Sequence, residues 1–336
     1  MLYLELLAIF ALILTTLQTP LPWPNLEQRE LSNGPVIPSN FPDPALITVD
    51  GIYYSFSTNS GGLHIPTATS PDFKSWTVTG TDALPKLPSW ATGNVWAPDV
   101  VQVADGTFVL YFAATTSQDP SKHCVGTATS SNVEGPYTPN DIIFACPLKQ
   151  GGAIDPAGFL DTDGSRYVAY KLDGNSLGGG GGCGNGNGQF STAIMLQAVE
   201  ADGVTPTGSA VQILERGDSD GPLIEAPSLV RSSEGTYVLF FSSQCFNGPN
   251  YDVSYATADL VTGPYTKTPR PLLLSGDDNG ALNSPGGATV AQSGTQLVFH
   301  ADAKPSNAGV RQMWTAEIEI RGVTASIAPV QVVTID

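Results

Sequence analysis

Apolar and polar residues alternate along five similar segments of this chain, and each segment opens at a proline. The segments begin at Pro44, Pro98, Pro156, Pro227 and Pro285, at intervals of 54, 58, 71 and 58 residues. In each segment, a short run of β-prone residues is followed by a pair of residues, which is an acidic residue or a serine and then a glycine. A second apolar run follows the pair. Such pairs tolerate the positive φ angles of tight hairpins. The pattern predicts five hairpins, with turns at Asp50-Gly51, Asp105-Gly106, Asp163-Gly164, Glu234-Gly235 and Ser293-Gly294.

Each hairpin is followed by residues that can extend the same sheet. An Ala-Thr-rich stretch follows in the first, second and fourth repeats, as in Ala68-Thr69-Ser70 and Ala256-Thr257, and the third repeat keeps it loosely. Units of this length, with room for a fourth strand, are typical of β-propeller blades, which bury one another's faces. We therefore expect an all-β fold, a five-bladed β-propeller, in which the residues just before the prolines point toward one mouth of the central channel.

Composition narrows the class of partner. The chain has 336 residues, of which 36 are Gly, 27 are Pro and only 13% are charged, as suits a turn-rich β protein. Its net charge is −17, with 14 Lys and Arg in total. Nucleic-acid binding draws on clustered basic residues, so we expect no nucleic-acid partner.

The first residues form a segment of their own. The run from Leu6 to Leu14 is wholly apolar, which predicts a secretory signal. A membrane anchor is the alternative, but it requires about 20 apolar residues, and polar residues interrupt this stretch. We expect residues 1–24 to be a signal peptide and leader, with cleavage before Asn25. Residues 25–336 would then form a secreted propeller domain that has no membrane contact.

Four cysteines fit an oxidising compartment, and they allow three disulfide connectivities. The favoured pairing joins Cys124 to Cys146 as a local closure and Cys183 to Cys245 between connections of adjacent blades. Four free thiols are the alternative. Cys183 lies within a glycine-rich run, Gly178–Gly188, which predicts a long surface loop at the border of a functional site.

Three acidic residues occupy related positions at the start of the repeats. Asp43 and Asp155 directly precede a repeat's proline, and Glu225 lies two residues before another. If the inner strands are equivalent, three carboxylates converge at one channel mouth, where repulsion should raise the pKa of at least one of them. A proton donor beside an ionised base is the arrangement that cleaves glycosidic bonds. The alternative is that Asp-Pro pairs are ordinary turn openers.

Four motifs in combination resemble glycoside hydrolase family 43. They are Phe41-Pro42-Asp43-Pro44, Val95-Trp96-Ala97-Pro98-Asp99, Ala153-Ile154-Asp155-Pro156 and Ile224-Glu225-Ala226-Pro227-Ser228, and the likeness spans all five repeats. The resemblance implies a five-bladed propeller that hydrolyses glycosides with inversion of anomeric configuration. It implies Asp43 as general base and Glu225 as general acid, with Asp155 adjusting the pKa and orientation of the acid.

The resemblance also implies contacts with the sugar from Trp96, Phe41 and Arg311. Trp96 would form a wall of the sugar pocket, with a buried tryptophan between blades as the alternative. Arg311 resembles an arginine that some members direct at a sugar hydroxyl or at the acid. A surface arginine at a blade edge is the alternative.

One motif of the family is missing. Many relatives open the fifth blade with Gly-Pro-Gly-His, whose histidine approaches the channel, and the matching stretch here is Ser284-Pro285-Gly286-Gly287. His300 could take a nearby channel position as a metal ligand, or it could be a hydrogen-bonded strand histidine. The departure puts the family's central calcium in doubt, and we expect no cofactor to be required for the chemistry.

The resemblance implies substrates among plant cell-wall polysaccharides that carry α-L-arabinofuranosyl or β-D-xylosyl units. Insertions predicted at Ser117–Cys124 and Gly174–Gln189 would wall the site and favour exo action on terminal sugars. The chain reaches Asp336 directly after the fifth repeat, from which we expect a compact enzyme without an accessory β-sandwich. We also expect a monomer. The first alternative is an endo-arabinanase, and the second is a propeller that binds polysaccharide without catalysis.

Overall fold

Five small sheets arranged in a ring make up the fold. The computed structural model describes residues 31, 34–303 and 309–328, and the predicted signal segment, residues 1–24, lies outside them. Each sheet contains four consecutive antiparallel strands, so the chain is a five-bladed β-propeller. The predicted all-β class and the number of blades are confirmed. Across residues 31, 34–303 and 309–328, no helix has the length and apolar character needed to span a membrane.

Every blade runs from an inner strand at the channel to an outer strand at the rim. The first two blades contain β1 (Ala45–Val49), β2 (Ile52–Phe56), β3 (Pro66–Ser70) and β4 (Thr77–Asp82), then β5 (Trp96–Gln102), β6 (Phe108–Thr116), β7 (Asp119–Ser130) and β8 (Thr138–Pro139). The next two contain β9 (Ala153–Leu160), β10 (Arg166–Leu172), β11 (Ile194–Val199) and β12 (Pro206–Leu214), then β13 (Ile224–Arg231), β14 (Tyr237–Ser243), β15 (Ser254–Ala258) and β16 (Thr266–Lys267). The fifth contains β17 (Gly286–Val290), β18 (Gln296–Asp302), β19 (Arg311–Arg321) and β20 (Thr324–Ile327). Short helical turns lie at Leu148–Gln150, Gly174–Leu177, Gly182–Gly184, Asp218–Asp220 and Asp277–Gly280.

Apolar side chains between neighbouring blades hold the ring together. At the seam where the ring closes, Val298 and Met313 of the fifth blade pack with Leu46 and Ala68 of the first. The segment before β1 joins this seam, because Ile37 pairs with Met313 in an isolated bridge. Burial of each large aliphatic side chain stabilises the fold by about 1.5–3 kcal/mol, so packing on both faces of every blade closes the ring.

The residue before each inner-strand proline has a left-handed backbone conformation. The φ angles are 51° at Asp43, 41° at Ala97, 54° at Asp155, 52° at Ala226 and 49° at Ser284. In the second, third and fourth blades the strand register also shifts at this point, as in a bulge that redirects a side chain. Four of these five residues, all but Ser284, line one small cavity in the channel. The repeat therefore gathers them at one level.

Of the five predicted hairpin turns, the first alone is a two-residue turn. Val49 pairs with Ile52 across Asp50 and Gly51, whose φ angles are 50° and 80°. In the other blades the glycine of the pair alone has a positive φ, and its N–H closes the turn onto a residue three positions earlier. A type I turn followed by a left-handed glycine has this form. The glycine, and not the acidic residue, therefore sets these four turns.

One of the two predicted insertions is in fact a strand extension. Residues Asp119 to Cys124 belong to β7, and β6 and β7 continue to pair up to a two-residue turn at Ser117 and Gln118. The stretch Gly174–Gln189 is a loop, as predicted. Both favoured disulfides, Cys124–Cys146 and Cys183–Cys245, are present. The second ties this loop to the connection that follows β14.

Candidate active site

One mouth of the channel opens into a cavity of about 440 Å³ that all three predicted carboxylates line. Asp43 lies just before β1, Asp155 lies in β9 and Glu225 lies in β13. The side chains of Asp43 and Glu225 keep 18% and 13% of their surface exposed. The structure thus brings acids from three blades to one opening that solvent can reach.

Asp43 is surrounded by groups that stabilise its ionised form. Arg311 Nη1 lies 3.1 Å from Oδ1, and Thr58 Oγ1 donates a hydrogen bond to Oδ2 at 2.6 Å. Burial alone would raise the pKa of Asp43, but the Arg311 guanidinium and the Thr58 hydroxyl hold that pKa well below its usual range. Asp43 is therefore a carboxylate near neutral pH. Arg311 reaches this residue and not the predicted acid.

Glu225 is held by two buried side chains, one at each carboxylate oxygen. Lys171 Nζ lies 3.1 Å from Oε2, and the Tyr251 hydroxyl donates to Oε1 at 2.8 Å. Lys171 has no exposed surface and lies 3.3 Å from Asp173 Oδ1 as well. Burial would lower the pKa of Lys171, but Glu225 and Asp173 raise that pKa above its ordinary value. The lysine therefore stays charged within the cavity wall and fixes the orientation of Glu225.

Asp155 differs from Asp43 in its protonation. Burial and the charge of Glu225 raise the pKa of Asp155 well above its ordinary value, against the opposing effect of Lys171. Its Oδ2 accepts the N–H of Ala226 at 2.9 Å. Asp155 thus binds a proton near neutral pH, and it anchors the backbone next to Glu225.

Two aromatic residues were predicted to contact the sugar, and the structure places only one of them at the cavity. Trp96 lines the cavity, stacked on His123 with ring centroids 3.6 Å apart, so it forms a wall and does not pack between blades. Phe41 is 1% exposed and packs in the closing seam with Ile37. The structure does not bring Phe41 to the cavity, because the side chain is buried in the packing of the seam.

A family model covers nearly the whole chain. The model of glycosyl hydrolases family 43 matches residues 32–323. The chain belongs to glycosyl hydrolase family 43. Among solved structures, a thermostable family-43 glycoside hydrolase has the same fold, with a TM-score of 0.71 and 21% identity over 89% of this chain and 95% of that one.

Curated members of family 43 match parts of the sequence. An extracellular endo-α-(1→5)-L-arabinanase of Thermotoga petrophila is 30% identical over 160 residues, which are 38% of this chain and 33% of that protein. A β-D-galactofuranosidase of Aspergillus niger is 28% identical over 279 residues, 76% of this chain and 73% of that protein. The chain thus spans about a third of the length of the arabinanase and about three quarters of the galactofuranosidase.

The calcium that the family resemblance implies does not fit the donor atoms at the channel. Burial lowers the pKa of His300, so the ring is neutral, and its Nδ1 accepts the Asp43 N–H at 3.1 Å. Nε2 therefore carries the proton, and it is buried with no hydrogen-bond partner in the part of the chain that the structure describes. Calcium takes about 6–8 oxygen ligands. Within residues 31, 34–303 and 309–328, no group of three His, Cys, Asp or Glu side chains could hold an ion.

The loss of the family's fifth-blade histidine has a steric explanation. Gly287 stands at that position, and a Cβ atom there would lie 2.6 Å from the His300 ring and 2.8 Å from Asp43 Oδ1. The φ angle of Gly287 is +56°, which also disfavours a side chain. His300, from the adjacent strand β18, occupies the space beside Asp43.

Three residues that hold the carboxylates were not predicted. Lys171 offered a weak signal, because it is a charged residue that follows the apolar run of β10 without a break. Thr58 and Tyr251 offered none, since each lies in a connection and reaches its carboxylate through the fold.

Proposed function

We propose that the protein is an inverting glycoside hydrolase that removes terminal pentosyl residues from plant cell-wall polysaccharides. One observation carries the proposal: a single cavity holds Asp43, kept ionised by a neighbouring arginine, together with the Asp155 and Glu225 pair, where a proton is retained near neutral pH. An ionised base and a proton source in one pocket are the two requirements of this reaction.

Asp43 is the general base in this proposal, and Glu225 is the general acid. A water molecule attacks the anomeric carbon and gives its proton to Asp43. The bond from that carbon to the leaving oxygen breaks, and Glu225 gives its proton to this oxygen. The new hydroxyl lies on the opposite face of the sugar, so the product has inverted configuration.

Asp155 and Lys171 act through Glu225 as positioning residues. The raised pKa of Asp155 keeps a proton beside the acid, and its bond to Ala226 N–H holds the backbone there. Lys171 and Tyr251 hold the two oxygens of Glu225 at 3.1 and 2.8 Å. Trp96 and Arg311 are proposed to contact the sugar from the cavity wall.

The substrate proposed is a terminal α-L-arabinofuranosyl or β-D-xylosyl unit. A cavity of about 440 Å³ has room for a bound sugar, and it is lined by Ser121 of the β7 extension and Ser176 of the Gly174–Gln189 loop. Endo-arabinanase activity is the second candidate, favoured by the partial match to the Thermotoga petrophila arabinanase. Product profiles on linear arabinan, arabinoxylan and xylobiose separate the two modes. The two disulfides support the predicted secretion, because they require an oxidising compartment.

The roles of the two acids are tested with Asp43→Asn and Glu225→Gln on substrates that have good and poor leaving groups. We expect Asp43→Asn to abolish turnover of nitrophenyl glycosides and of oligosaccharides alike. Glu225→Gln should keep part of its activity on nitrophenyl glycosides, because that leaving group needs no protonation. Equal losses on all substrates would refute the assignment. No hydrolysis by the unmodified protein, with binding retained, would leave a carbohydrate-binding propeller.

A further inference from the structure

An exposed aromatic ring stands at the rim of the cavity. Phe246 keeps 44% of its surface exposed, and it lines the same cavity as the three carboxylates. Among the described residues it is the one aromatic side chain in the group of exposed large hydrophobics. An exposed ring at a pocket rim is costly to hydrate, and it offers a flat apolar face to a ligand.

The turn that carries Phe246 is fixed at both ends. The Gly248 N–H donates to the Cys245 carbonyl at 2.8 Å, which places Phe246 and Asn247 at the tip of a tight turn. Cys245 is bound covalently to Cys183 of the glycine-rich loop. The Ser284 hydroxyl donates to the Gly248 carbonyl at 2.9 Å. The ring is therefore held in place before any ligand arrives, so little conformational entropy is lost when it makes a contact.

One face of the ring is already occupied by a residue of the site. The guanidinium carbon of Arg311 lies 5.2 Å from the centroid of the Phe246 ring, and the same guanidinium contacts Asp43 Oδ1 at 3.1 Å. Arg311 thus connects the ring to the carboxylate at the base of the cavity. The surface of Phe246 that remains exposed is the part of the ring that Arg311 does not cover.

We propose that Phe246 is the stacking platform for the sugar unit that follows the terminal one in an oligosaccharide substrate. The inference rests on the proposed function, in which the terminal sugar lies beside Asp43 and Glu225 at the bottom of the cavity. The next sugar then lies at the rim, where Phe246 presents its open face. The side chain of Asn247, which also lines the cavity, offers an amide to a hydroxyl of the same unit.

Binding measurements test the platform apart from catalysis. In the Glu225→Gln background, which avoids consumption of the ligand, calorimetry compares Phe246→Ala, Phe246→Tyr and the parent. The ligands are arabinotriose and xylotriose, with free arabinose and xylose as single-sugar probes. Aromatic contacts contribute about 0.5–1.5 kcal/mol, so we expect Phe246→Ala to weaken trisaccharide binding about two- to twelvefold. Phe246→Tyr keeps the ring and should bind as the parent does. The single sugars should bind equally well to all three.

A control variant and the possible results of the binding measurements decide whether Phe246 is a stacking platform. Leu260→Ala removes a side chain that is 62% exposed and does not line the cavity, and it should change nothing. Unchanged trisaccharide affinity in Phe246→Ala, or an equal loss of affinity for single sugars, would overturn the platform. If the trisaccharides bind through Phe246 but the unmodified protein hydrolyses none of them, the platform stands and the proposed hydrolase function fails.

Discussion

Removal of the buried lysine should destabilise the protein in a pH-dependent way. Lys171 has no exposed surface, and its Nζ lies 3.1 Å from Glu225 and 3.3 Å from Asp173. Lys171→Met keeps the length of the side chain and removes its charge. Removal of one partner from a buried ion pair costs about 3–5 kcal/mol, because the remaining charge stays buried and uncompensated. We expect a loss of this size in the free energy of unfolding at pH 8.

The stability that Lys171→Met loses should be smaller at acidic pH. Lys171 opposes the rise in the pKa of Asp155, so its removal raises that pKa further and the folded variant binds more protons than the folded parent. A group whose pKa is raised by folding contributes stability below its unfolded pKa and loses that contribution as the pH rises through its folded pKa. Each additional bound proton changes the loss by about 1.4 kcal/mol per pH unit. Burial and Glu225 already raise the pKa of Asp155 to about 8 in the parent, so the extra proton uptake of the variant is confined to the upper end of this pH range. The deficit of Lys171→Met should therefore shrink by about 0.4 kcal/mol between pH 8 and pH 5.

Urea denaturation followed by tryptophan fluorescence at pH 5 and pH 8 measures both quantities. Lys122→Met is the matched control, since Lys122 pairs with the partly exposed Asp119. Pairs of that kind contribute about 0–1 kcal/mol, and the control should change little at either pH. The reasoning fails if Lys171→Met loses the same stability at both pH values, or no more than Lys122→Met.

Three further changes probe the site and the channel. Tyr251→Phe removes the 2.8 Å hydrogen bond to Glu225. Bonds to charged groups contribute about 1.5–3 kcal/mol, so kcat/KM, measured well below the melting temperature of the variant, should fall about ten- to a hundredfold, and wild-type kinetics would contradict the role. Gly286→Ala would put a Cβ atom 1.9 Å from the Tyr251 ring; such overpacking costs about 1–3 kcal/mol, and a variant as stable as the parent in urea would show that the ring can move. Asp99 is 7% exposed, and burial raises its pKa from 3.8 to about 7; about 4 kcal/mol of stability should be lost between these pH values. Asp99→Asn should lose less stability than the parent from pH 4 to pH 8, and identical pH dependences would refute the assignment.

The blades could be predicted from the sequence because their signals are local. The proline at the start of each inner strand and the glycine of each hairpin turn act within a few residues. Repetition then placed Asp43 and Asp155 at equivalent positions without any knowledge of contacts. The left-handed backbone at these residues could not be foreseen in this way, because a residue before proline ordinarily prefers extended conformations.

The partners of the carboxylates could not be predicted because they come from other strands and other blades. Thr58 follows β2 and meets Asp43 from the end of the neighbouring hairpin strand, and Tyr251 meets Glu225 from the connection after β14. Phe41 was predicted to lie in the pocket because it is close to Asp43 in the sequence, but the structure places it elsewhere. The packing of the closing seam decided its position instead.

Hydrogen bonds that link neighbouring blades also position residues of the candidate site. In every blade an N–H of the inner strand, or of the residues just before it, donates to a side chain of the preceding blade, the first blade donating to the fifth. The pairs are Asp43 to His300, Ala97 to Thr58, Gly158 to Asp99, Ala226 to Asp155 and Gly287 to Ser242. A left-handed backbone conformation costs about 1–3 kcal/mol for a residue other than glycine. In three of these bonds the donor is a left-handed residue that precedes a proline, namely Asp43, Ala97 or Ala226. Asp155 is thus a link between two blades and the proposed partner of the acid at once. Its carboxyl group is held beside Glu225 by the N–H of Ala226, which belongs to the next blade.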